Sequence, residues 1–326
     1  MKKLEIKSAH YNYLLKSFTE WLSVIGYAET TVKTIPVHVR ELFHYLEQQN
    51  IQHITQVTSQ RVYSFLYYVK HRTNEHGKGA LSNSSINKII TALNLFAQYI
   101  NQTGKHTFDF TPKRAEATNE KRTVLTKEEI KLLYEATFLH HRENPTAMGQ
   151  RDRAIIAIFY GCGLRKDEGI NLNITDIDLI KRKVLVRRGK GNKQRYVPIA
   201  TKHLEDIKSY LAEGRNWFLT VHKAGYYNRF NIQKKDADAE AFFLSQHGTR
   251  MQCGYYGRLK QLKEKAGIEK EFALHSLRHS IATHLLQSGM DIEDIAKFLG
   301  HSSLESTQIY THIINELNFT QHVEQV

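Results

Sequence analysis

The periodic spacing of apolar residues is interrupted over residues 104–123, and this break divides the chain into two parts that must each form their own core. Within the break, Lys, Arg, Glu, Thr and Asn dominate and Pro112 is present, a composition typical of a linker. A length of 326 residues also favours about two domains. We therefore predict an amino-terminal domain over 1–103, a linker over 104–123 and a second domain over 124–326.

Four apolar stripes at helical spacing predict four helices in the amino-terminal domain. We expect Ser84 or Ser85 to be the N-cap of the fourth helix. Pro36 lies near the expected start of the second helix, where proline is tolerated in the first turn or as a kink. The four stripes are Leu14, Phe18, Trp21, Leu22 and Ile25; Val39, Leu42, Phe43 and Leu46; Val62, Phe65, Leu66 and Val69; and Ile86, Ile89, Ile90, Leu93, Phe96 and Ile100.

The second domain is predicted to open with a helix, because Thr126 and Glu129 have the spacing of a capping box. A further helical pattern ends at Gly161 and Gly163, whose missing side chains suit a tight turn that presents Arg165. Later helices are expected over residues 256–266, 275–288, 292–299 and 303–311, and the polar stretch 220–240 is predicted to be a loop or an insertion.

A period-two pattern interrupts these helices, with Val184 and Val186 on one arm and Tyr196 and Pro198 on the other. It predicts a β-hairpin whose basic, glycine-rich tip holds Lys190. The expected fold is therefore mostly α with two domains, a four-helix amino-terminal domain and an α+β carboxyl-terminal domain with a small antiparallel β-sheet.

The chain is strongly basic, with a formal charge of +13 and a pI near 9.5. Up to Arg122 it has 16 basic and 9 acidic residues, and after it 30 and 24, so both halves are positively charged. Such a balance favours a polyanionic partner, with nucleic acid first, although a generally cationic protein has the same composition.

Cys162 and Cys253 are the only cysteines, too few for a disulfide framework and not arranged as a CxxC metal pair. Cys162 lies between glycines, and we interpret it as a small buried residue. Residues 1–7 lack the apolar stretch of a signal peptide, and no run approaches the ~20 apolar residues of a membrane span. We therefore expect a cytoplasmic protein.

Six scattered side chains have the chemistry that attack on a phosphodiester would require without a metal. They lie in short strings that occur in one order: Gly-Leu-Arg, Gly-Lys-Gly-Asn-Lys, His-Ser-Leu-Arg-His and Leu-Gly-His, followed by a tyrosine. The six residues are Arg165, Lys190, His275, Arg278, His301 and Tyr310.

Each group suits one part of a strand-cleavage reaction. Arg165 and Arg278 offer planar forks that match the oxygens of a phosphate, a geometry that lysine lacks. Lys190 is a compact, movable ammonium that can protonate the departing 5′ oxygen. Two histidines supply hydrogen bonds and exchange protons near neutral pH. Tyr310 is the candidate nucleophile, since phenolate attack stores the cleaved linkage as a phosphotyrosyl ester.

These strings resemble the tyrosine recombinase family, the phage integrases and Xer-type resolvases. The motifs cover about residues 150–312, and the preceding domain is similar to the family's SAM-like core-binding domain. The resemblance implies that no metal or other cofactor is needed, because bond energy is retained in the protein–DNA ester. It implies these roles: catalytic Arg165, Lys190, His275, Arg278, His301 and Tyr310, with Glu168 as the supporting acid.

The resemblance also implies site-specific recombination through a 3′-phosphotyrosyl intermediate and a Holliday junction, by four protomers on two double-stranded DNA core sites. We expect the two domains to clamp the DNA. Too few residues precede Tyr11 for an arm-binding domain, which favours a simple Xer-like enzyme. The tail 313–326 has an apolar stripe that could dock on a neighbouring subunit, with Phe319 off the stripe. A partner recombinase or an accessory DNA-bending protein would also fit.

Other interpretations remain open at this point. A type IB topoisomerase-like enzyme would use a similar set of residues to nick and reseal DNA, and a DNA-binding protein of the same fold would not catalyse at all. His275 and His279 imitate a zinc-ligand pair, but no further ligand completes it. Lys166 and Asp167 depart from the small or polar pair common before the family's acid. The biological task could be chromosome dimer resolution, integration and excision, or inversion.

Overall fold

The computed structural model divides into two compact units, Met1–Glu120 and Lys121–Val326. No helix among the described residues is both long and apolar enough to cross a membrane. The structure describes residues 4–73, 79–104, 106–107, 110, 112–116, 123–139, 145–187, 194–223 and 238–300.

The first unit is built on four α-helices, as the apolar stripes predict. An aromatic cluster holds them together: the rings of Phe18 on the first helix and Phe43 on the second lie edge-on to Phe96 on the fourth, with centroids 5.4 and 5.3 Å away. All three side chains are buried. The helices are α1 (Ala9–Val24), α2 (Glu29–Glu47), α3 (Ser59–His71) and α4 (Asn83–Gln102).

Two details of these helices differ from the sequence prediction. The N-cap of α4 is Ser82, whose hydroxyl accepts the Ser85 N–H, so the expectation of Ser84 or Ser85 was wrong by two or three positions. Ser85 is already helical, and its hydroxyl bonds that of Ser82. Pro36 lies inside α2 rather than in its first turn, because the helix already begins at Glu29.

Part of the segment predicted as a linker packs on the first unit. Phe110 is buried in the core of the helices, and the His106 ring bonds the Val57 carbonyl at 2.9 Å. The Asn87 side chain on α4 pairs with both backbone groups of Ala115, donating to the carbonyl at 2.8 Å and accepting from the N–H at 2.9 Å. The Asn87 amide therefore satisfies both backbone groups of Ala115, as a paired strand would, and holds this segment against α4.

The second unit is mixed α and β, which confirms the predicted fold class. Thr126 and Glu129 form the expected capping box at the start of its first helix. Residues 220–223 are helical instead of loop, and residues 224–237 and the helix predicted over 303–311 lie outside the described residues. The elements are α5 (Lys127–Ala136), α6 (Pro145–Ile156), α7 (Lys166–Ile170), β1 (Ile177–Asp178), β2 (Lys183–Val186), β3 (Arg195–Pro198), α8 (Thr201–Ser209), α9 (Arg215–Lys223), α10 (Tyr255–Lys265), α11 (Leu274–Gln287) and α12 (Ile292–Leu299).

The predicted hairpin is present and is part of an antiparallel sheet of order β1-β2-β3. Val184 is buried, whereas Tyr196 and Pro198 on the other arm are exposed, so these two residues lie on the outward face of β3. The register pairs Val184 with Val197. Because directly opposed residues lie on the same face of a sheet, the Val197 side chain points into the core beside Val184. Arg195, two positions before Val197, lies on that same inward face.

The position of the α4 cap can be tested by hydrogen exchange. We expect Ser82→Ala to remove the acceptor of the Ser85 N–H and cost about 1 kcal/mol locally, which corresponds to about fivefold faster exchange in the first turn. Ser84→Ala, an exposed change in the same turn, is the control and should leave exchange unchanged. Equal effects of the two substitutions would show that Ser82 is not the cap.

Candidate active site

A glycine-containing turn brings Arg165 to the start of α7. After α6 the chain forms a π-helical turn, Ala157–Gly161, and a Cβ on Gly161 would lie 2.4 Å from the His203 ring. Gly163 has a φ of +59°, a left-handed conformation that disfavours other residues. Both glycines are therefore required by space or backbone conformation, as the sequence suggested, and Arg165 follows as the N-cap of α7.

Helix α11 carries His275 and Arg278, and buried hydrogen bonds fix it to this turn and to the segment before α5. The Tyr160 hydroxyl on the π-helical turn bonds the His284 ring on α11 at 2.9 Å. Ser280 on α11 accepts the backbone N–H of Leu125 at 2.8 Å. His284 thus has a structural role, and the two segments that supply the arginines pack into one hydrophobic core.

The Glu168 carboxylate is the centre of the site. One oxygen accepts the Arg165 backbone N–H and the other accepts Nη1 of the Arg165 side chain, both at 2.8 Å. Arg195 reaches the same carboxylate with both ends of its fork, at 2.8 and 2.9 Å. Nη1 of Arg278 lies 3.8 Å from it, so three guanidinium groups surround one carboxylate whose side chain is only 3% exposed.

Backbone carbonyls hold the outer ends of the two predicted catalytic arginines. Arg278 donates to the Gly163 carbonyl at 2.5 Å and to the Leu299 carbonyl at 2.6 Å, and it is buried. Arg165 donates to the Gly300 carbonyl at 2.9 Å. The Leu-Gly part of the Leu-Gly-His string therefore positions both arginines through its backbone, a role separate from that of its histidine.

The charges of the site do not cancel. Burial raises the pKa of Glu168, but hydrogen bonds from the Arg195 side chain and the Arg165 backbone outweigh it and hold that pKa at about 2. The carboxylate is thus ionised at neutral pH and offsets only one of three permanent positive charges. The excess positive charge suits a phosphate group.

His275 lies in the first turn of α11 and is exposed. Although the side chain is exposed to solvent, partial desolvation of its ring lowers its pKa, and the positive charge of Arg278 lowers it further, while Asp167 acts in the opposite direction. The neutral imidazole, which can both donate and accept a hydrogen bond, is therefore favoured near pH 7. Its neighbour in the zinc-like spacing, His279, belongs to no metal-ligand cluster in the part of the chain that the structure describes.

The described residues bring together Arg165, Glu168 and Arg278, with His275 on the same helix as Arg278. Three further predicted site residues, Lys190, His301 and Tyr310, lie outside the described residues. The described chain ends at Gly300, directly before His301, and Lys190 lies in the sequence between β2 and β3. Cys162 is buried as predicted, and burial raises the pKa of its thiol to about 12, which disfavours the reactive thiolate at neutral pH.

Arg195 is the part of the site that the sequence prediction missed. Its signal was present: alternation along β3 places Arg195 on the same face as the buried Val197, and an inward-facing arginine needs a buried carboxylate.

Two protein-family models and several known recombinases match this chain. The phage integrase family model matches residues 123–316, and the model of the phage integrase N-terminal SAM-like domain matches residues 15–104. The tyrosine recombinases XerC of Oceanobacillus iheyensis and of Bacillus subtilis are each 31% identical to this chain, over 93% of it and 92% of the relative.

A solved structure is similar in fold. The XerH site-specific recombinase in a pre-cleavage complex with its difH substrate superimposes with a TM-score of 0.70 at 20% identity, over 94% of this chain and 95% of that one. The family model alone covers more than half of the chain. The chain therefore belongs to the phage integrase family and is a tyrosine site-specific recombinase, an enzyme that breaks and rejoins DNA strands.

Proposed function

We propose that this recombinase cleaves DNA by attack of Tyr310 on a scissile phosphate held by Arg165 and Arg278. The observation that supports this most is the cluster around Glu168, which fixes two guanidinium forks from separate segments beside each other and leaves excess positive charge. Preorganised cations of this kind stabilise the charge that builds on the non-bridging oxygens in the transition state.

The remaining groups complete the reaction. The Tyr310 oxygen forms a bond to phosphorus as the bond to the 5′ oxygen breaks, which gives a 3′-phosphotyrosyl ester and a free 5′ hydroxyl. His275 and His301 take up the phenolic proton and bond the phosphate, and Lys190 gives a proton to the departing 5′ oxygen. The 5′ hydroxyl of a partner strand then attacks the ester, so that exchange proceeds through a Holliday junction without an external energy source.

Replacement of the nucleophile tests this assignment. A nicked suicide duplex, built on the site that the protein selects from a randomised library, should trap a covalent adduct with the unmodified protein. We expect Tyr310→Phe to bind this duplex but form no detectable adduct, because the phenolic oxygen is absent. Tyr256→Phe, an exposed change on α10, should react normally. A denaturation-resistant adduct with Tyr310→Phe would exclude Tyr310 as the nucleophile.

We further infer that both units contact duplex DNA and that four protomers assemble on two core sites in the cytoplasm. Positive charge in both halves of the sequence supports a clamp, since each half can neutralise phosphates. The tail 313–326 is proposed to dock on a neighbouring subunit through Ile313, Ile314 and Leu317, with a partner recombinase or a DNA-bending protein as additional components.

Truncation of the tail tests the assembly. Deletion of the residues after Asn315 removes Leu317 from the proposed stripe while it leaves Tyr310 in place. We expect single-site binding to persist, because the DNA-contacting units remain, and tetrameric synapsis on two sites to be lost in native gels or light scattering. Undiminished tetramer formation with normal recombination would remove the exchange role of the tail.

A further inference from the structure

Arg195 has contacts that the roles described above do not explain. It is the first residue of β3, and its fork binds both oxygens of Glu168 at 2.8 and 2.9 Å. Lysine could not make this bidentate contact, since its ammonium is a single point charge. Its side chain is only 14% exposed, so the pair is largely removed from water.

The same side chain also lies against Gly300. A Cβ at Gly300 would be 2.6 Å from Nε of Arg195 and 2.7 Å from its Cδ, so the arginine occupies the space that any larger residue would need. Gly300 ends α12 with a φ of +63° and gives its carbonyl to Arg165. Arg195 therefore contacts both groups, the Glu168 carboxylate and the Gly300 backbone, that hold the Arg165 side chain.

We propose that Arg195 is a positioning residue for strand cleavage: it fixes Glu168 and Gly300, and through them sets the Arg165 guanidinium for the scissile phosphate. The inference rests on the proposed function, in which Arg165 holds that phosphate. Arg195 does not itself touch the reacting atoms in this role.

Electrostatics explains why the third guanidinium is needed. Without Arg195, the buried Glu168 carboxylate would have only Arg165 and the more distant Arg278 as cationic partners. It would then draw the forks of both arginines more strongly and compete with the substrate phosphate for them. With Arg195 in place, the carboxylate is already paired and acts as a fixed support.

A second arginine–carboxylate pair holds the other arm of the hairpin. Arg187, just after β2, donates Nε to the buried carboxylate of Asp176 at 2.5 Å. Arginine–carboxylate pairs thus fix the chain just after β2 and at the start of β3, but only the Arg195 pair also involves Arg165. The effect of Arg195 is consequently expected on the cleavage rate as well as on local order.

The test measures single-turnover cleavage and DNA binding separately on the nicked suicide duplex. We expect Arg195→Ala to slow cleavage about 10²-fold, as for a small misplacement of a catalytic group, with the dissociation constant within about threefold of the unmodified value. Arg195→Lys should be only partly active, because it restores the charge but not the fork.

Arg258→Ala is the matched control for loss of a buried ion pair. Arg258 binds both oxygens of the buried Asp152, and its side chain is 13% exposed, close to the value for Arg195. It lies outside the Glu168 cluster, so this variant should lose stability but keep its cleavage rate per bound protein. An equal loss of cleavage rate in both variants would reduce the role of Arg195 to general stability and overturn the proposal.

A double variant identifies the route of the effect. Glu168→Gln removes the charge that Arg195 neutralises. Adding Arg195→Ala to that variant should therefore slow cleavage by less than about a further threefold. A full and independent 10²-fold loss there would contradict action through Glu168. Failure of the proposed function is seen separately, since the unmodified protein would then form no adduct before any change at Arg195.

Discussion

The organisation of this enzyme depends on one buried carboxylate. Glu168 is encircled by guanidinium groups that come from three distant parts of the chain: Arg165 at the start of α7, Arg195 on β3 and Arg278 on α11. A single buried charge of this kind would be unstable, and removal of one partner from such a pair typically costs about 3–5 kcal/mol. The cluster therefore fixes the relative positions of a helix start, a hairpin and a helix, and leaves net positive charge for a phosphate.

Backbone geometry completes this arrangement. Gly163 and Gly300 each adopt a left-handed conformation, and each directs its carbonyl at one of the arginines. A side chain at Gly300 would meet Arg195, and one at Gly163 would lie 3.0 Å from Leu299. The glycines in the Gly-Leu-Arg and Leu-Gly-His strings are thus explained by their carbonyls, which hold the arginines in position. These strings therefore contain structural residues beside the catalytic ones.

Sequence patterns predicted the fold well where one physical effect dominated. The apolar stripes of the first four helices and the capping box of Thr126 depend on local spacing, and they are present except for Ile25, which follows the end of α1 and is exposed. Where effects of similar size competed, local reasoning failed. Several serines near the start of α4 could cap it, and the structure uses Ser82. Pro36 was tolerated inside α2 because packing of the helix outweighs one lost hydrogen bond.

In the candidate site too, local patterns predict some residues and miss another. Arg165 and Arg278 could be found because they lie in strings with a known chemical pattern, and Glu168 followed from the family resemblance. Arg195 could not be found in that way, since its function depends on strand register and on a partner 27 residues away. The register fixes which face of β3 is inward, and Val197 rather than Tyr196 defines that face. Long-range pairing of charges is the part of the site that spacing alone does not predict.

The most direct test of this account is a structure of the Tyr310→Phe protein bound to its uncleaved core site. We predict that the guanidinium groups of Arg165 and Arg278 each lie about 3 Å from non-bridging oxygens of the scissile phosphate, while Arg195 keeps its bidentate contact with Glu168. A scissile phosphate that neither arginine contacts, with both forks still directed only at protein groups, would contradict it.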